Sequence, residues 1–190
     1  TLLDQGLWNQ VKAFAATEEA QALDAQEKRL LDELVADFVE AGADLPEDKR
    51  FRLERLSSEL AQITQKFSEN VLDSTNAWHK NILDESLLAG LPESARMAAK
   101  ETARQKELEG WAFTLHAPSI MPIMKYLDNG AIRKEFWEAS CKVGWEGERD
   151  NTELIRKILE LRQEKATILG KRDYADVVLE RRMAGSGARA

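Results

Sequence analysis

Cysteine is almost absent from this sequence of 190 residues. The single cysteine, Cys141, excludes an internal disulfide framework, and its apolar, helical surroundings predict a small buried side chain. A catalytic thiol would require a histidine partner, and no sequence signature of such a pair accompanies Cys141. A lone reduced thiol is typical of a reducing compartment, so we expect a cytoplasmic protein.

Proline and glycine are also scarce, with 4 and 10 copies, whereas 32% of the residues are charged. Few helix-breaking residues among many Leu, Ala, Glu, Lys and Arg favour α-helices. No run approaches the roughly 18 consecutive apolar residues of a membrane span. The net charge of −7 lacks the excess of Lys and Arg with which nucleic-acid-binding proteins face phosphates. We therefore expect neither a membrane nor a nucleic acid as a partner.

Apolar residues in the first part of the chain recur at the spacing of amphipathic helices. This spacing predicts a helix over about residues 2–16. Asp24, followed by Glu27, predicts the capping box of a second helix, and Gly42 is placed to end that helix in a left-handed conformation.

A third helix is predicted over about residues 46–75, because Pro46 suits the first helical position. Its apolar residues form a seam with alternating spacings of three and four: Leu53, Leu56, Leu60, Ile63 and Phe67. We expect this seam to pack against the apolar stripe from Leu30 to Val39 of the same chain, with dimerisation as the alternative.

Two short segments interrupt the helical pattern, and we predict that residues 76–83 and 110–115 form an antiparallel pair of strands. A helix from Glu93 to about Leu108 is expected between them, with Ala and Met residues on its inner side. Further helices are predicted up to about Met183, and their apolar faces are assigned to Met121, Met124, Tyr126, Leu127, Ile132, Phe136, Trp137, Ala139 and Cys141.

The predicted fold is mainly α and multi-helical, with long amphipathic helices and at most one small two-stranded antiparallel β element. We predict three regions. Residues 1–75 form a helical N-terminal region, residues 76–117 a small strand–helix–strand unit, and residues 118–190 a helical region that is truncated at its C-terminal end.

Candidate catalytic groups are few. The two histidines, His79 and His116, fall on the predicted strands, and together with Asp84 they would form a weak metal site. They are 37 positions apart, which is not the close ligand spacing of zinc sites, so ordinary surface or hydrogen-bonded histidines are expected. The five tryptophans could line a peptide groove, although packing contacts are their commoner role: positions 8, 78, 111, 137 and 145.

The run from Phe67 to Trp78 resembles a hallmark of the thimet oligopeptidase and oligopeptidase A family of zinc metallopeptidases. Further blocks that resemble this family follow the same order along the chain: residues 42–49, 88–95, 110–115, 126–129, 150–162 and 169–175. One such block would be a weak signal, whereas several in the same order are a specific one.

The resemblance implies a clamshell-shaped, mainly helical zinc peptidase that cleaves short peptides in a deep channel. In that family a His-Glu-x-x-His motif supplies two zinc ligands and the general base, and a glutamate further along is the third ligand. The motif does not occur in these 190 residues. No catalytic, cofactor-binding or metal-binding residue is therefore assigned here. We expect zinc in the parent protein, none in this chain, and no activity of the chain alone.

We expect this chain to be the N-terminal to central helical part of such a peptidase and to form one wall of the substrate channel. Its partners would be short peptides and the missing C-terminal catalytic part. The opening at Thr1 and the ending Gly185–Ala190 are read as cuts in a longer polypeptide. The alternative is a stand-alone helical binding or scaffold module. Within the family, an endopeptidase of the oligopeptidase A type is favoured over a peptidyl-dipeptidase.

Overall fold

The computed structural model describes residues 4–190 and is dominated by α-helices. Within that range the elements are α1 (Gln5–Ala15), α2 (Glu18–Gln21), α3 (Ala25–Glu40), α4 (Glu47–Ala77), β1 (His79–Ile82), α5 (Glu93–Gln105), β2 (Trp111–Thr114), α6 (Ala117–Tyr126), α7 (Gly130–Cys141), α8 (Thr152–Ile168) and α9 (Tyr174–Leu179). Short 3₁₀ turns occur at Glu85–Leu88 and Gly147–Arg149. The two strands form a single antiparallel pair. The predicted mainly α fold with one small two-stranded element is confirmed.

Several helix ends follow the local chemistry of the sequence. The Asp24 carboxylate accepts hydrogen bonds from the backbone N–H groups of Gln26 and Glu27 at 2.8 and 2.9 Å, and Glu27 accepts one from the backbone of Asp24 at 3.2 Å. This is the predicted capping box. Gly42 has a φ of 88°, a conformation that ends a helix at little steric cost when the residue is glycine. The predicted helix over residues 2–16 is observed as α1, and its first two residues lie outside the described range.

The chain divides into two compact units, and both α4 and α8 contribute residues to each of them. The first unit comprises the residues up to Gln62 together with Ile158–Ala190, and the second comprises Ile63–Lys157. The three predicted regions, 1–75, 76–117 and 118–190, stay a prediction.

In the first unit, α1 and α3 meet at a stacked aromatic pair. The rings of Trp8 and Phe38 lie 5.3 Å apart with an interplanar angle of 27°, and both side chains are buried. Three other residues of the α3 stripe are more exposed than predicted, since Leu30, Leu34 and Val39 are 71%, 37% and 44% accessible. Helix α3 is also joined to the C-terminal segment, because Arg181 forms ion pairs with Asp37 and Glu40 at 2.5 and 3.2 Å, and with Glu33.

The last helix ends earlier than predicted, at Leu179 instead of about Met183.

In the second unit, the strand pair and the surrounding helices enclose one hydrophobic core. His79 faces Thr114 and Ile82 faces Trp111 in the antiparallel register. The buried side chains of this core are Ile82, Leu88, Leu91, Ala99, Phe113, Leu115, Ile123, Leu127, Ile132 and Phe136.

Six side chains that were predicted to face inward are exposed in the second unit: Met97, Met121, Met124, Tyr126, Trp137 and Cys141. The helical period explains this in α7. Ile132, Phe136 and Ala139 recur at intervals of four and three and form the inner face, whereas Trp137 and Cys141 lie four residues apart on another face. Cys141 is therefore not the small buried side chain that the sequence predicted.

None of the helices described over residues 4–190 combines the length and the apolarity that crossing a bilayer requires.

Candidate functional site

A cleft of about 480 Å³ lies in the second unit, and we call it the α4–α7 cleft. It is formed by the C-terminal end of α4, the residue that follows β2, α7, and the loop between α7 and α8. A volume of this size falls within the range of small-molecule and peptide-residue sites, which is roughly 300–1,000 Å³.

The floor of the α4–α7 cleft is apolar and consists of Ala77, Trp78, Leu115, Ala139 and Val143. Trp78 packs edge-on against the buried ring of Phe136, with the ring centroids 4.8 Å apart. Edge-to-face packing of this kind holds the indole in a defined orientation. The floor is therefore continuous with the core of the second unit.

The rim of the cleft carries five charged side chains, and four of them belong to ion pairs. Glu135 pairs with Lys80 at 2.7 Å, and Glu138 pairs with Lys134 at 3.6 Å. Lys142 and Glu146, four residues apart, pair at 2.9 Å. The hydrogen bond from Lys142 to Glu146 raises the pKa of the lysine.

The fifth rim residue, Arg149, makes no ion pair or hydrogen bond through its side chain within residues 4–190. Its neighbour Asp150 is engaged elsewhere. The Asp150 carboxylate accepts hydrogen bonds from the hydroxyl and backbone N–H of Thr152 at 2.6 and 2.8 Å, and these bonds lower the pKa of Asp150. Arg149 is thus a cation at the cleft with no carboxylate bound to it.

The loop that carries Glu146 and Arg149 is held to α4 by a buried pair of asparagines. The Asn70 amide donates to the side-chain oxygen of Asn151 at 2.8 Å, and the Asn151 amide donates to the carbonyl of Phe67 at 3.2 Å. The backbone N–H of Asn151 also donates to the carbonyl of Gly144 at 2.9 Å. Phe67 and Asn70 both belong to the run that resembles the peptidase hallmark, so in this structure that run positions one side of the cleft.

The weak metal site considered from the sequence has no geometric support in the described residues. His116 lies within 2.9 Å of the Asn76 side-chain oxygen through its Nε2. Asp84 caps the first 3₁₀ turn by accepting a hydrogen bond from the backbone N–H of Ser86 at 2.9 Å. Over residues 4–190, no group of three or more His, Cys, Asp or Glu side chains is arranged to hold a metal ion.

The tryptophans are dispersed, and Trp78 is the one that lines the α4–α7 cleft. Trp8 belongs to the other unit, Trp111 lies under the ammonium group of Lys100 at 5.8 Å, and Trp137 and Trp145 are exposed. Sequence reasoning did not identify the cleft as a group. The available signal was the spacing of Phe136, Ala139 and Val143 at three and four residues, which continues the inner face of α7 into the turn that follows it.

Comparison with known proteins identifies the same family as the sequence blocks. Residues 123–190 match peptidase family M3. The chain is 38% identical over 185 residues to oligopeptidase A of Salmonella typhimurium and 37% identical over 185 residues to oligopeptidase A of Escherichia coli. It is 30% identical over 175 residues to dipeptidyl carboxypeptidase of Salmonella typhimurium.

These similarities cover almost the whole chain but only part of each relative. The two oligopeptidase A alignments span 95% of this chain and 27% of the relative, and the dipeptidyl carboxypeptidase alignment spans 91% and 26%. The chain thus spans about a quarter of the length of the curated relatives that it matches. Identity that extends along nearly all of its residues, together with the matched C-terminal part, shows that the chain belongs to peptidase family M3.

Proposed function

We propose that this chain is a non-catalytic helical part of a zinc-dependent oligopeptidase that hydrolyses short peptides. The observation that carries the proposal is the 38% identity to an oligopeptidase A over 95% of the chain. The lower identity of 30% to a dipeptidyl carboxypeptidase favours an endopeptidase over a peptidyl-dipeptidase. The zinc ligands and the general base would belong to a catalytic part outside these 190 residues, and the lone cysteine favours a cytoplasmic location.

We further propose that the chain forms one wall of the substrate channel, with the α4–α7 cleft as the part of that wall that contacts peptides. The support is physical. The cleft combines an apolar floor with a charged rim, which are the features that bind peptide side chains and fix their orientation.

The first experiment is an immunoblot of the source cells with an antibody against this chain. A native polypeptide several times larger than 21.5 kDa is expected, since the chain corresponds to about a quarter of its relatives. Zinc and peptidase activity should purify with that larger polypeptide. A band near 21.5 kDa without either property would contradict the peptidase and favour the alternative, a stand-alone helical binding or scaffold module.

The channel-wall proposal is tested in the native polypeptide by filling the cleft. Ala139→Trp places a bulky ring on the cleft floor, and we expect it to raise the KM for short peptides several-fold while kcat changes little. Ser140→Trp is the matched control, because Ser140 is the next residue of α7, is exposed, and does not line the cleft. Equal kinetics for the two variants would exclude the cleft from the channel wall.

A further inference from the structure

We propose that the α4–α7 cleft binds the C-terminal carboxylate of a short peptide through Arg149, with the last apolar side chain of the peptide on Trp78. This inference rests on the proposed function and assigns a ligand group to the same cleft. Nothing in the sequence resemblance assigns a role to Arg149.

The charge pattern of the rim carries the inference. The three glutamates of the rim, at positions 135, 138 and 146, each have a lysine partner within 3.6 Å. Arg149 is the rim cation without a bound carboxylate within residues 4–190. A planar guanidinium presents paired donors that match the two oxygens of a carboxylate, so an incoming carboxylate would supply the partner that Arg149 lacks.

The source of that carboxylate follows from the kind of ligand. Every unmodified peptide carries a terminal carboxylate, whereas an acidic side chain is present in only some sequences. An acidic side chain also has no fixed position along a peptide, whereas the terminal carboxylate is always attached to the last residue, whose side chain is assigned to Trp78. We therefore assign the C-terminal carboxylate as the partner of Arg149.

The cleft is also pre-organised for this role. Asn151 follows Arg149 by two residues and is fixed to α4 through Asn70 and Phe67 at 2.8 and 3.2 Å. The Trp78 ring packs edge-on against the buried ring of Phe136, which restricts its orientation. The backbone beside Arg149 and the Trp78 ring are thus fixed before a ligand arrives, so the conformational entropy lost on binding is mainly that of the Arg149 side chain.

The test is a titration of the ¹⁵N-labelled chain with the peptide Ala-Ala-Phe-Leu as the free acid and as its C-terminal amide. The reporter is the indole N–H signal of Trp78, assigned by its loss in Trp78→Phe. The free acid should shift this signal with an affinity about tenfold higher than the amide, the effect expected for one partly solvated charge-assisted contact.

Two variants of Arg149 and one matched control complete the design. Arg149→Gln should weaken binding of the free acid about tenfold and make acid and amide equal, and Arg149→Lys should fall between Arg149→Gln and the unmodified chain. Arg156→Gln should behave as the unmodified chain. Arg156 is a nearby exposed arginine that pairs with Glu153 at 3.1 Å and does not line the cleft.

Equal affinities of the acid and the amide for the unmodified chain would overturn the inference, and so would an Arg149→Gln variant that binds as before. Tight binding of an amidated peptide with a single aspartate would also overturn it, in favour of acidic side-chain recognition. These outcomes are independent of the mass, zinc and activity of the native polypeptide. A failed titration therefore leaves the proposed peptidase assignment standing. Conversely, a native polypeptide of about 21.5 kDa without zinc or activity would leave the titration result unchanged.

Discussion

Asn70 and Asn151 are 81 positions apart in the sequence, yet their side chains share a buried hydrogen bond of 2.8 Å. Asn70 is 4% exposed and Asn151 is 1% exposed. Each amide is thus withdrawn from water, and each depends on the other for part of its hydrogen bonding.

Replacing Asn151 with alanine should strongly destabilise the chain. The change leaves the buried Asn70 amide without its acceptor and opens a small cavity, so we expect a loss of about 3 kcal/mol in the free energy of unfolding. Urea unfolding followed by circular dichroism measures this loss. Asn9→Ala is the control, because Asn9 is exposed on α1 and should change stability by less than about 0.5 kcal/mol. A loss for Asn151→Ala as small as that expected for Asn9→Ala would show that the asparagine pair contributes little to stability.

Alanine substitutions at Gly144 and Gly147 distinguish the cost of a steric collision by the added Cβ from the cost of left-handed backbone strain. Both have a positive φ, 68° and 64°. A Cβ on Gly144 would lie 2.8 Å from the Asn151 amide nitrogen and 3.3 Å from Val71, whereas a Cβ on Gly147 would meet no atom within 4 Å. Gly147→Ala should therefore cost about 1 kcal/mol of left-handed backbone strain, and Gly144→Ala at least about twice that. Equal losses in thermal or urea unfolding would contradict the collision.

Arg181 should hold the C-terminal segment to α3. Arginine is charged at any working pH, and its hydrogen bonds to Asp37 and Glu33 raise its pKa further. Arg181→Gln should speed amide hydrogen exchange in residues 174–182, as should 1 M NaCl, because both weaken ion pairs that are partly open to solvent. Arg182→Gln is the neighbouring control, since Arg182 is exposed and makes no ion pair within the described part of the chain. Faster exchange in both variants alike would argue against a specific role of Arg181.

Glu101 should titrate well below an ordinary glutamate. A side-chain hydrogen bond from Arg104 lowers the pKa of Glu101 from 4.5 to about 2. Because the pKa is lower in the folded chain, this interaction stabilises the fold above about pH 4.5 and is lost as the pH falls towards 2. Both side chains are largely exposed, so the effect on stability should be small. Carboxyl ¹³C NMR of Arg104→Gln should show the pKa of Glu101 rising towards 4.5, and an unchanged titration would exclude Arg104 as the cause.

The local features of the fold could be predicted from the sequence. The capping box at Asp24 and the termination at Gly42 depend on residues within three or four positions of each helix end. The strand pair was also predicted, since two short segments rich in aromatic residues stood out against a helical background.

The cleft and its fixation could not be predicted in the same way, because they depend on long-range contacts. Nothing near Asn151 in the sequence indicates that it reaches Phe67 and Asn70. The spacing of Ile132, Phe136 and Ala139 on the inner face of α7 places Trp137 and Cys141 on another face, but their apolar character alone suggested burial. Residue type is a weaker guide than position on the helical period when a helix has a mixed surface.

The continuity of α4 and α8 limits how this chain can be dissected in the laboratory. The boundary between the compact units falls after Gln62 in α4 and after Lys157 in α8, so a fragment of residues 63–157 would begin and end inside severed helices. Newly created helix ends fray, because their terminal N–H and C=O groups lack intrahelical partners. An isolated second unit would therefore need engineered caps at both cuts before its folding could be studied.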